Sequence, residues 1–320
     1  MPTQIPVKAH SVQLQPPDIS SRAATSTGIG YVHELASGLA GPEVLVTALV
    51  HGNEYSGAMA LDAFLGSGIR PSKGRITAAF CNVAAFARFD PASPDASRFV
   101  DEDFNRVWSL ERLNGAGHSS ELERARALRP FVERATFLLD LHSMHEPCEP
   151  LLVTGLLQRN IDFAQSLGLG AQVIVDAGHD DGVRMRDFDR LADPARSEIA
   201  LLLEAGQHWD PSSLQTARNA LMRFLVASGV IAGGDVPPGW TLPDVPAPAP
   251  LVVTHRIVAE SMDFRFVQDF RGGEVIPKGR LIATDASGPI LAPYDDCVLI
   301  MPSVRQLRPG VTTVRLGRRA

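Results

Sequence analysis

The chain has 320 residues, of which 45% are hydrophobic and 21% charged, with a formal net charge of −6 at pH 7. This composition is ordinary for a globular protein, and without a Lys/Arg block it argues against a surface that binds nucleic acid or a membrane. Because no apolar run reaches the ~18 residues of a membrane span, and the first ten residues lack the pattern of a signal peptide, we expect a cytoplasmic protein.

Short apolar runs alternate with helical patterns through most of the chain. The predicted strands span residues 43–50, 75–83, 136–141, 150–154, 172–176 and 199–204, and the predicted helices span 56–65, 120–134, 160–167 and 212–230. The strand sequences are apolar throughout, as in central strands that are buried on both faces. We therefore predict an α/β domain with a mixed, mostly parallel sheet and helices on both faces.

The composition changes at residues 233–250, where closely spaced prolines exclude a helix and favour an extended linker. We therefore divide the chain into an α/β domain at 1–232, this linker, and a small all-β sandwich at 251–320. The sandwich resembles biotinyl and lipoyl carrier domains, but Tyr294-Asp-Asp stands where they carry the modified lysine. This difference favours a structural or gating module, and its edge strands could support a homo-oligomer.

The strand at 43–50 is followed at once by His51, and a glycine turn places Glu54 three residues later. An imidazole nitrogen and a carboxylate oxygen are both ligands of zinc, and a strand-to-helix turn can aim them at one point. The pair therefore predicts two ligands of a metal site, for which a third must come from elsewhere.

His142 is the candidate for the third ligand, because it follows the buried strand at 136–141. Asp140 lies two residues back on the same strand face, where it could accept a hydrogen bond from the imidazole and orient it. A lone histidine at a strand end more often has a structural role. Because His51 and Glu54 also occur in the chain, we favour the interpretation of His142 as a metal ligand.

A zinc site of two histidines and one carboxylate keeps a position for water, whose pKa the metal lowers to roughly 7. The chemistry then needs a carboxylate that is not a ligand and that can take up and return the proton. Glu204 fits this role because it follows five apolar residues of a strand. The alternative is that Glu204 lies beyond the strand in solvent.

Arg98, Asn105 and Arg106 lie between the first two ligands and His142. Their side chains have the donors needed to hold a carboxylate and a carbonyl, and the planar guanidinium of arginine can do so with two parallel bonds. The alternative is a set of solvated loop charges.

These motifs together resemble the succinylglutamate desuccinylase/aspartoacylase family, which has the zinc carboxypeptidase-like fold. The matching stretches occur in the family's order and are His51-Gly-Asn-Glu54, Arg98 with Asp103-Phe-Asn-Arg106, Asp140-Leu-His142 and Leu203-Glu-Ala-Gly206. The resemblance covers roughly residues 40–320.

The resemblance implies one Zn²⁺ per chain, bound by His51, Glu54 and His142, with Glu204 as general base. It implies that Arg98 polarises the substrate carbonyl and that Asn105 and Arg106 bind a substrate carboxylate. The family has a further substrate-binding arginine shortly before the catalytic glutamate, and Arg196 is the nearest candidate.

The resulting hypothesis is a zinc-dependent amidohydrolase that acts on a small N-acyl amino acid or a related amide carrying a carboxylate. One alternative is a carboxypeptidase that trims short peptides with the same metal site. Another is an inactive binding or structural homologue. His145 follows the third ligand closely and could be a polar group of the site or a surface loop residue.

Overall fold

The computed structural model describes residues 9–320. Residues 1–8, which carry most of the stretch searched for a signal peptide, lie outside the described residues. None of the helices in the described range is long and apolar enough to cross a membrane.

Eleven strands of the described chain form one sheet. Its first seven strands in chain order are β1 (Val32–Ala36), β2 (Glu43–Ala48), β3 (Arg75–Phe80), β4 (Phe137–Met144), β5 (Leu151–Val153), β6 (Gln172–Val175) and β7 (Ile199–Gln207). The strand order β1-β3-β2-β4-β7-β5-β6 places β4 and β7 at the centre of the α/β part. The pairs β3–β2, β2–β4, β4–β7 and β5–β6 are parallel, whereas β1 and β5 run antiparallel to β3 and β7. The sheet is therefore mixed and mostly parallel in this part, as predicted.

Helices cover both faces of the sheet. They are α1 (Ser56–Gly66), α2 (Val83–Phe86), α3 (Leu110–Asn114), α4 (Ser120–Arg134), α5 (Gln158–Ser166) and α6 (Pro211–Ala227). One apolar core joins α1, α5 and α6 to side chains such as Leu139 and Leu201, and a second joins α4 to Leu45 and Leu138. Successive strand residues thus point to opposite faces, each of which a helix covers.

Side-chain caps define where the two longest helices begin. Ser119 accepts a hydrogen bond from the backbone N–H of Leu122 before α4, and Asp210 does the same for Ser212 before α6. Each cap satisfies a backbone donor that has no partner within the helix. All four predicted helices are present, as α1, α4, α5 and α6, and their ends differ from the predicted ends by at most three residues.

The C-terminal strands are β8 (Leu251–Val258), β9 (Arg265–Phe266), β10 (Val275–Ile276), β11 (Leu281–Asp285), β12 (Gly288–Leu291), β13 (Cys297–Ile300) and β14 (Thr312–Arg319). Strand β8 pairs in parallel with β6, so β8, β14, β13 and β10 extend the main sheet. A second sheet, β12-β11-β9, is joined to this extension through an apolar core that includes Phe264, Ile282 and Leu316. The all-β unit is present, but one of its two sheets is continuous with the α/β sheet. The division at 1–232, 233–250 and 251–320 stays a proposal.

Strands β4 and β7 extend beyond their predicted ends. Each continues three residues further, so that His142 lies within a strand rather than after it, and Glu204 lies inside a strand rather than at its last position. Strand β2 ends two residues early, where Leu49 has a left-handed φ of 58°. The parallel pairing of β4 with β7 sustains the longer strands and brings these polar residues to the carboxyl edge of the sheet.

Candidate active site

Three buried side chains form a group that could hold a metal ion. His51 lies in the turn after β2, Glu54 lies just before α1, and His142 lies in β4. Their candidate ligand atoms all lie within 4.8 Å of one another. The parallel neighbours β2 and β4 end at the same edge of the sheet, which is why residues so far apart in sequence meet there.

Both imidazole rings direct Nδ1 toward Glu54 and Nε2 away from it. Nδ1 of His51 and Nδ1 of His142 lie 2.8 and 2.9 Å from the two oxygens of Glu54. Nε2 of each ring faces a carboxylate on the outside: Asp103 at 3.0 Å from His51 and Asp140 at 2.8 Å from His142. An Nε2–H donated to a carboxylate leaves the lone pair of Nδ1 directed inward, as a metal ligand requires.

The charges of the group depend on these contacts. Burial alone would raise the pKa of Glu54, but His51 and His142 hold it well below its usual value. Burial would lower the pKa of His142, but Asp140 and Glu54 raise it well above the usual value. The group therefore concentrates negative charge around two imidazoles, which is an environment that suits a cation.

Arg98 lies directly against this group. Its Nη1 donates to Glu54 at 2.9 Å and its Nη2 to Asp103 at 3.3 Å. Burial lowers the pKa of Arg98, but Asp103 and Glu54 together raise it above the usual value. The side chain therefore stays positively charged beside the candidate metal ligands.

Glu121, which the sequence did not single out, anchors the loop that carries Arg98 and Asp103. Its buried carboxylate accepts hydrogen bonds from the backbone N–H groups of Val100, Asp101 and Glu102 at 2.6, 3.1 and 3.3 Å. A fourth donor is the side-chain amide of Asn82 at 2.8 Å. Three successive N–H groups on one carboxylate fix the backbone of this loop.

Glu204 is not one of the three grouped residues, but it lies next to His142 in the β4–β7 register. Its Oε2 atom is buried and has no hydrogen-bond partner among the described residues. Burial, and then the charge of Glu54, raise the pKa of Glu204 to about 8. A carboxyl group of this kind can exchange a proton near neutral pH.

A cleft of about 190 Å³ is lined by the three candidate metal ligands and by Glu204. Arg98, Asn105 and Arg106, the candidate substrate-binding residues, also line it. Asn105 accepts a hydrogen bond from the backbone of Met185 at 2.8 Å, and Arg106 donates to Asp181 at 3.0 Å. Further lining side chains that the sequence did not single out are Asp176, His179, Arg184, Gln306, Arg308 and Arg315.

One expectation, for Arg196, needs correction here, and the structure favours one of the two alternatives left open for His145. Arg196 does not line the cleft and forms an ion pair with Glu198, just before β7 begins. Glu204 lies five residues after the start of β7, which corresponds to roughly 17 Å along an extended strand. Arg196 precedes that start and is therefore remote from Glu204. The cleft is lined by a different arginine, Arg184. His145 is not a surface loop residue, because it lines the cleft and packs against His208 with ring centroids 4.7 Å apart.

Comparison with known proteins agrees with this geometry. The model of the succinylglutamate desuccinylase/aspartoacylase catalytic domain matches residues 40–227. A probable aspartoacylase of Parasynechococcus marenigrum is 35% identical over 106 residues, which are 32% of this chain. The aligned part spans about a third, 33%, of that relative's length.

Solved structures show the same fold. A succinylglutamate desuccinylase from Vibrio cholerae has a TM-score of 0.66 at 17% identity, covering 91% of this chain and 86% of that one. One from Vibrio parahaemolyticus has a TM-score of 0.64 at 18% identity, with the same coverage of 91% and 86%. The product-bound ectoine utilization protein EutE from Ruegeria pomeroyi has a TM-score of 0.60 at 19% identity, covering 87% and 85%. At these identities the likeness concerns the fold alone.

Proposed function

The chain belongs to the succinylglutamate desuccinylase/aspartoacylase family, and we propose that it is a zinc-dependent amidohydrolase. Its substrate would be a small N-acyl amino acid or a related amide that carries a carboxylate. The observation that carries this proposal is the group of His51, Glu54 and His142 with Glu204 beside it, whose Oε2 atom has no hydrogen-bond partner in residues 9–320.

The donor set suits Zn²⁺, with one ion per chain. Two imidazole nitrogens and one carboxylate oxygen are a common ligand set of catalytic zinc, and each imidazole has the outer carboxylate that such ligands usually have. When bound, Zn²⁺ would lower the pKa of a water molecule to roughly 7 and polarise the amide carbonyl.

Glu204 would act as general base and then as general acid. Its pKa of about 8 lies close to neutral pH, where a group can both accept and donate a proton efficiently. It would take a proton from the attacking water and deliver it to the nitrogen of the leaving amine. Since no described residue forms a hydrogen bond with Oε2, this atom is available for that transfer.

Arg98, Asn105 and Arg106 would hold the substrate. The guanidinium of Arg98 lies beside Glu54, so it is placed to stabilise negative charge that develops on the carbonyl oxygen. The side-chain oxygen of Asn105 accepts a hydrogen bond from the backbone N–H of Met185. Its amide nitrogen would therefore be the atom that donates a hydrogen bond to the substrate. Together with Arg106 it would bind the substrate carboxylate.

A carboxypeptidase acting on short peptides could use the same metal site. The size of the cleft argues against it, since Gln306, Arg308 and Arg315 of the C-terminal unit form part of its wall. An inactive homologue is disfavoured because the ligand set and Glu204 are all in place. The cytoplasmic location and the homo-oligomer stay predictions.

Metal analysis together with a substrate panel tests the proposal. Protein purified without chelator should contain about one Zn²⁺ per chain and should hydrolyse at least one of a set of N-acetyl, N-succinyl and N-formyl amino acids. A chelator should abolish that activity, and added Zn²⁺ should restore it. Less than about half a metal per chain and no hydrolysis would favour the inactive homologue.

A further inference from the structure

Part of the cleft has an apolar lining, in contrast to the charged groups around the candidate metal ligands. The side chains of this lining come from β4, β5, β7, the loop after β4 and the residue after β13, and they are Met144, Val153, Leu202, Cys148 and Met301. They belong to one apolar cluster, which is separate from the two cores beneath the helices. We refer to these five residues as the apolar lining.

The apolar lining adjoins Glu204. Leu202 precedes Glu204 by two residues in β7, so both side chains point to the same face of the sheet. Val153 lies opposite Leu202 in the antiparallel pairing of β5 with β7, so it continues that face. The proposed general base is therefore bordered by aliphatic side chains on its own strand and on the next one.

Cys148 contributes an uncharged sulfur to this surface. Burial, followed by the charges of Glu149 and Glu204, raises the pKa of its thiol to about 11, so the thiol stays protonated at neutral pH. A protonated, partly buried thiol behaves as a small apolar group and not as a nucleophile. The electrostatic effect of Glu204 on the thiol agrees with a position of Cys148 near the proposed general base.

The C-terminal unit packs against the apolar lining with its backbone. Met301 has a left-handed φ of 49°, which residues other than glycine rarely adopt, and Pro302 follows it directly. A Cβ atom on Gly272 would lie 2.5 Å from Sγ of Cys148, so a side chain at this position would have to displace the thiol. The close approach at Gly272 thus keeps Cys148 and Met301 together at the wall of the cleft.

The chemistry of the apolar lining suits one part of the proposed substrate. In the proposed function Asn105 and Arg106 bind the carboxylate, and Arg98 stabilises charge on the amide carbonyl. The acyl chain begins at that carbonyl, where Glu204 and the apolar lining also meet. Burial of one methylene group favours binding by about fourfold, whereas a carboxylate without a partner is unfavourable in such surroundings.

We propose that the apolar lining is a subsite for an uncharged, apolar acyl chain of the substrate. This assignment deepens the proposed function and rests on it. Amides with a linear alkyl acyl group would then be preferred over amides whose acyl group ends in a carboxylate, because that carboxylate would be placed against carbon and sulfur.

A purely structural role is the competing explanation, because the same cluster joins the C-terminal strands to the main sheet through residues such as Leu251 and Val298. Cys148 and Met301 are only partly buried, so polar side chains of similar size can replace them. Met262 offers a matched control for Met301. It belongs to the C-terminal unit, its side chain is 57% exposed, and it does not line the cleft.

The test measures binding to the full-length protein after treatment with a chelator, so that no ligand is hydrolysed. The probes are N-butyrylglycine, N-hexanoylglycine and N-adipoylglycine, and ligand-observed NMR titration gives their affinities. We expect N-hexanoylglycine to bind about tenfold more tightly than N-butyrylglycine, because two more methylene groups are buried. It should also bind more tightly than N-adipoylglycine, whose chain ends in a carboxylate.

The variants assign this preference to the apolar lining. Met301→Gln should reduce the preference for N-hexanoylglycine over N-butyrylglycine to less than about threefold, because an amide replaces a thioether beside the chain. Cys148→Ser should reduce it in the same direction, and Met262→Gln should retain it. An equal loss in Met262→Gln would overturn the assignment.

The outcomes separate this proposal from the proposed function. Equal binding of the three probes, no binding of any of them, or tightest binding of N-adipoylglycine would overturn the subsite even if the protein hydrolyses amides. A folded Met301→Gln variant with the wild-type preference would overturn it as well. If Met301→Gln fails to fold, Cys148→Ser decides in the same way. Absence of amide hydrolysis by the zinc-loaded protein would overturn the proposed function and leave the binding comparison valid.

Discussion

Glu204 and His142 occupy paired positions in the parallel strands β7 and β4. His142 belongs to the group that could hold a metal, and Glu204 has a buried Oε2 atom with no hydrogen-bond partner within the described part of the chain. Because both lie within strands of the central sheet, their separation is set by backbone pairing and not by a mobile loop. The proposed general base is thereby held at a constant distance from a candidate metal ligand.

Replacing Glu204 by Gln should abolish turnover and preserve metal binding. Glutamine has nearly the same shape but cannot accept the proton, and loss of a general base typically costs 10²–10⁴-fold in rate. The measurements are kcat on the best substrate of the panel and zinc content by elemental analysis. Turnover close to that of the wild type would remove Glu204 from the mechanism.

The stability of the metal-free protein should fall as the pH rises from about 5 to 8. The folded state holds a proton on Glu204 up to a pKa of about 8, whereas the unfolded chain loses it near the ordinary pKa of 4.5. Between these values the folded state binds more protons, so its free energy of unfolding decreases with increasing pH by a few kcal/mol. Urea denaturation at several pH values measures this.

Glu204→Gln is the control for that pH dependence. The variant has no titrating group at this position, so its stability curve should be flatter than that of the wild type over the same range. Parallel curves for the two proteins would show that Glu204 is not the group responsible.

Glu121→Gln should destabilise the protein by about 2–3 kcal/mol, because an amide retains one acceptor oxygen where several backbone donors converge. The loop that carries Arg98 should lose its fixed position, so kcat/KM should fall as well. Glu123→Gln on the same helix is the control, since its side chain is 65% exposed. It should change stability by less than about 0.5 kcal/mol, and an equal effect of both variants would argue against the anchor.

Asp103→Asn and Asp140→Asn should each weaken zinc binding by about 10–100-fold, because each removes the charge that orients a ligand imidazole. Competition with a chromogenic chelator measures the affinity. Asp62→Asn, which alters a surface ion pair with Arg22, should leave the affinity unchanged. An unchanged zinc affinity in both test variants would mean that the outer carboxylates do not support the ligands.

The strand and helix pattern of residues 43–230 could be predicted because it depends on local features. Buried strands have apolar runs, and the helices between them have periodic apolar faces with capping residues. The ends of β4 and β7 could not be predicted, since they contain polar residues such as His142 and Gln207 that only the pairing of the two strands keeps in extended conformation.

The sequence by itself determined the identity of the candidate metal group, because His51, Glu54 and His142 each stand next to a recognisable buried strand. Only the tertiary structure decided their supporting contacts: Asp103 on His51, Glu121 under the loop, and Arg315 beside His179. Arg315 lies 136 residues from His179 in the chain. The order of strands in the sheet sets such contacts, and a local residue pattern carries no information about which distant segments become neighbours.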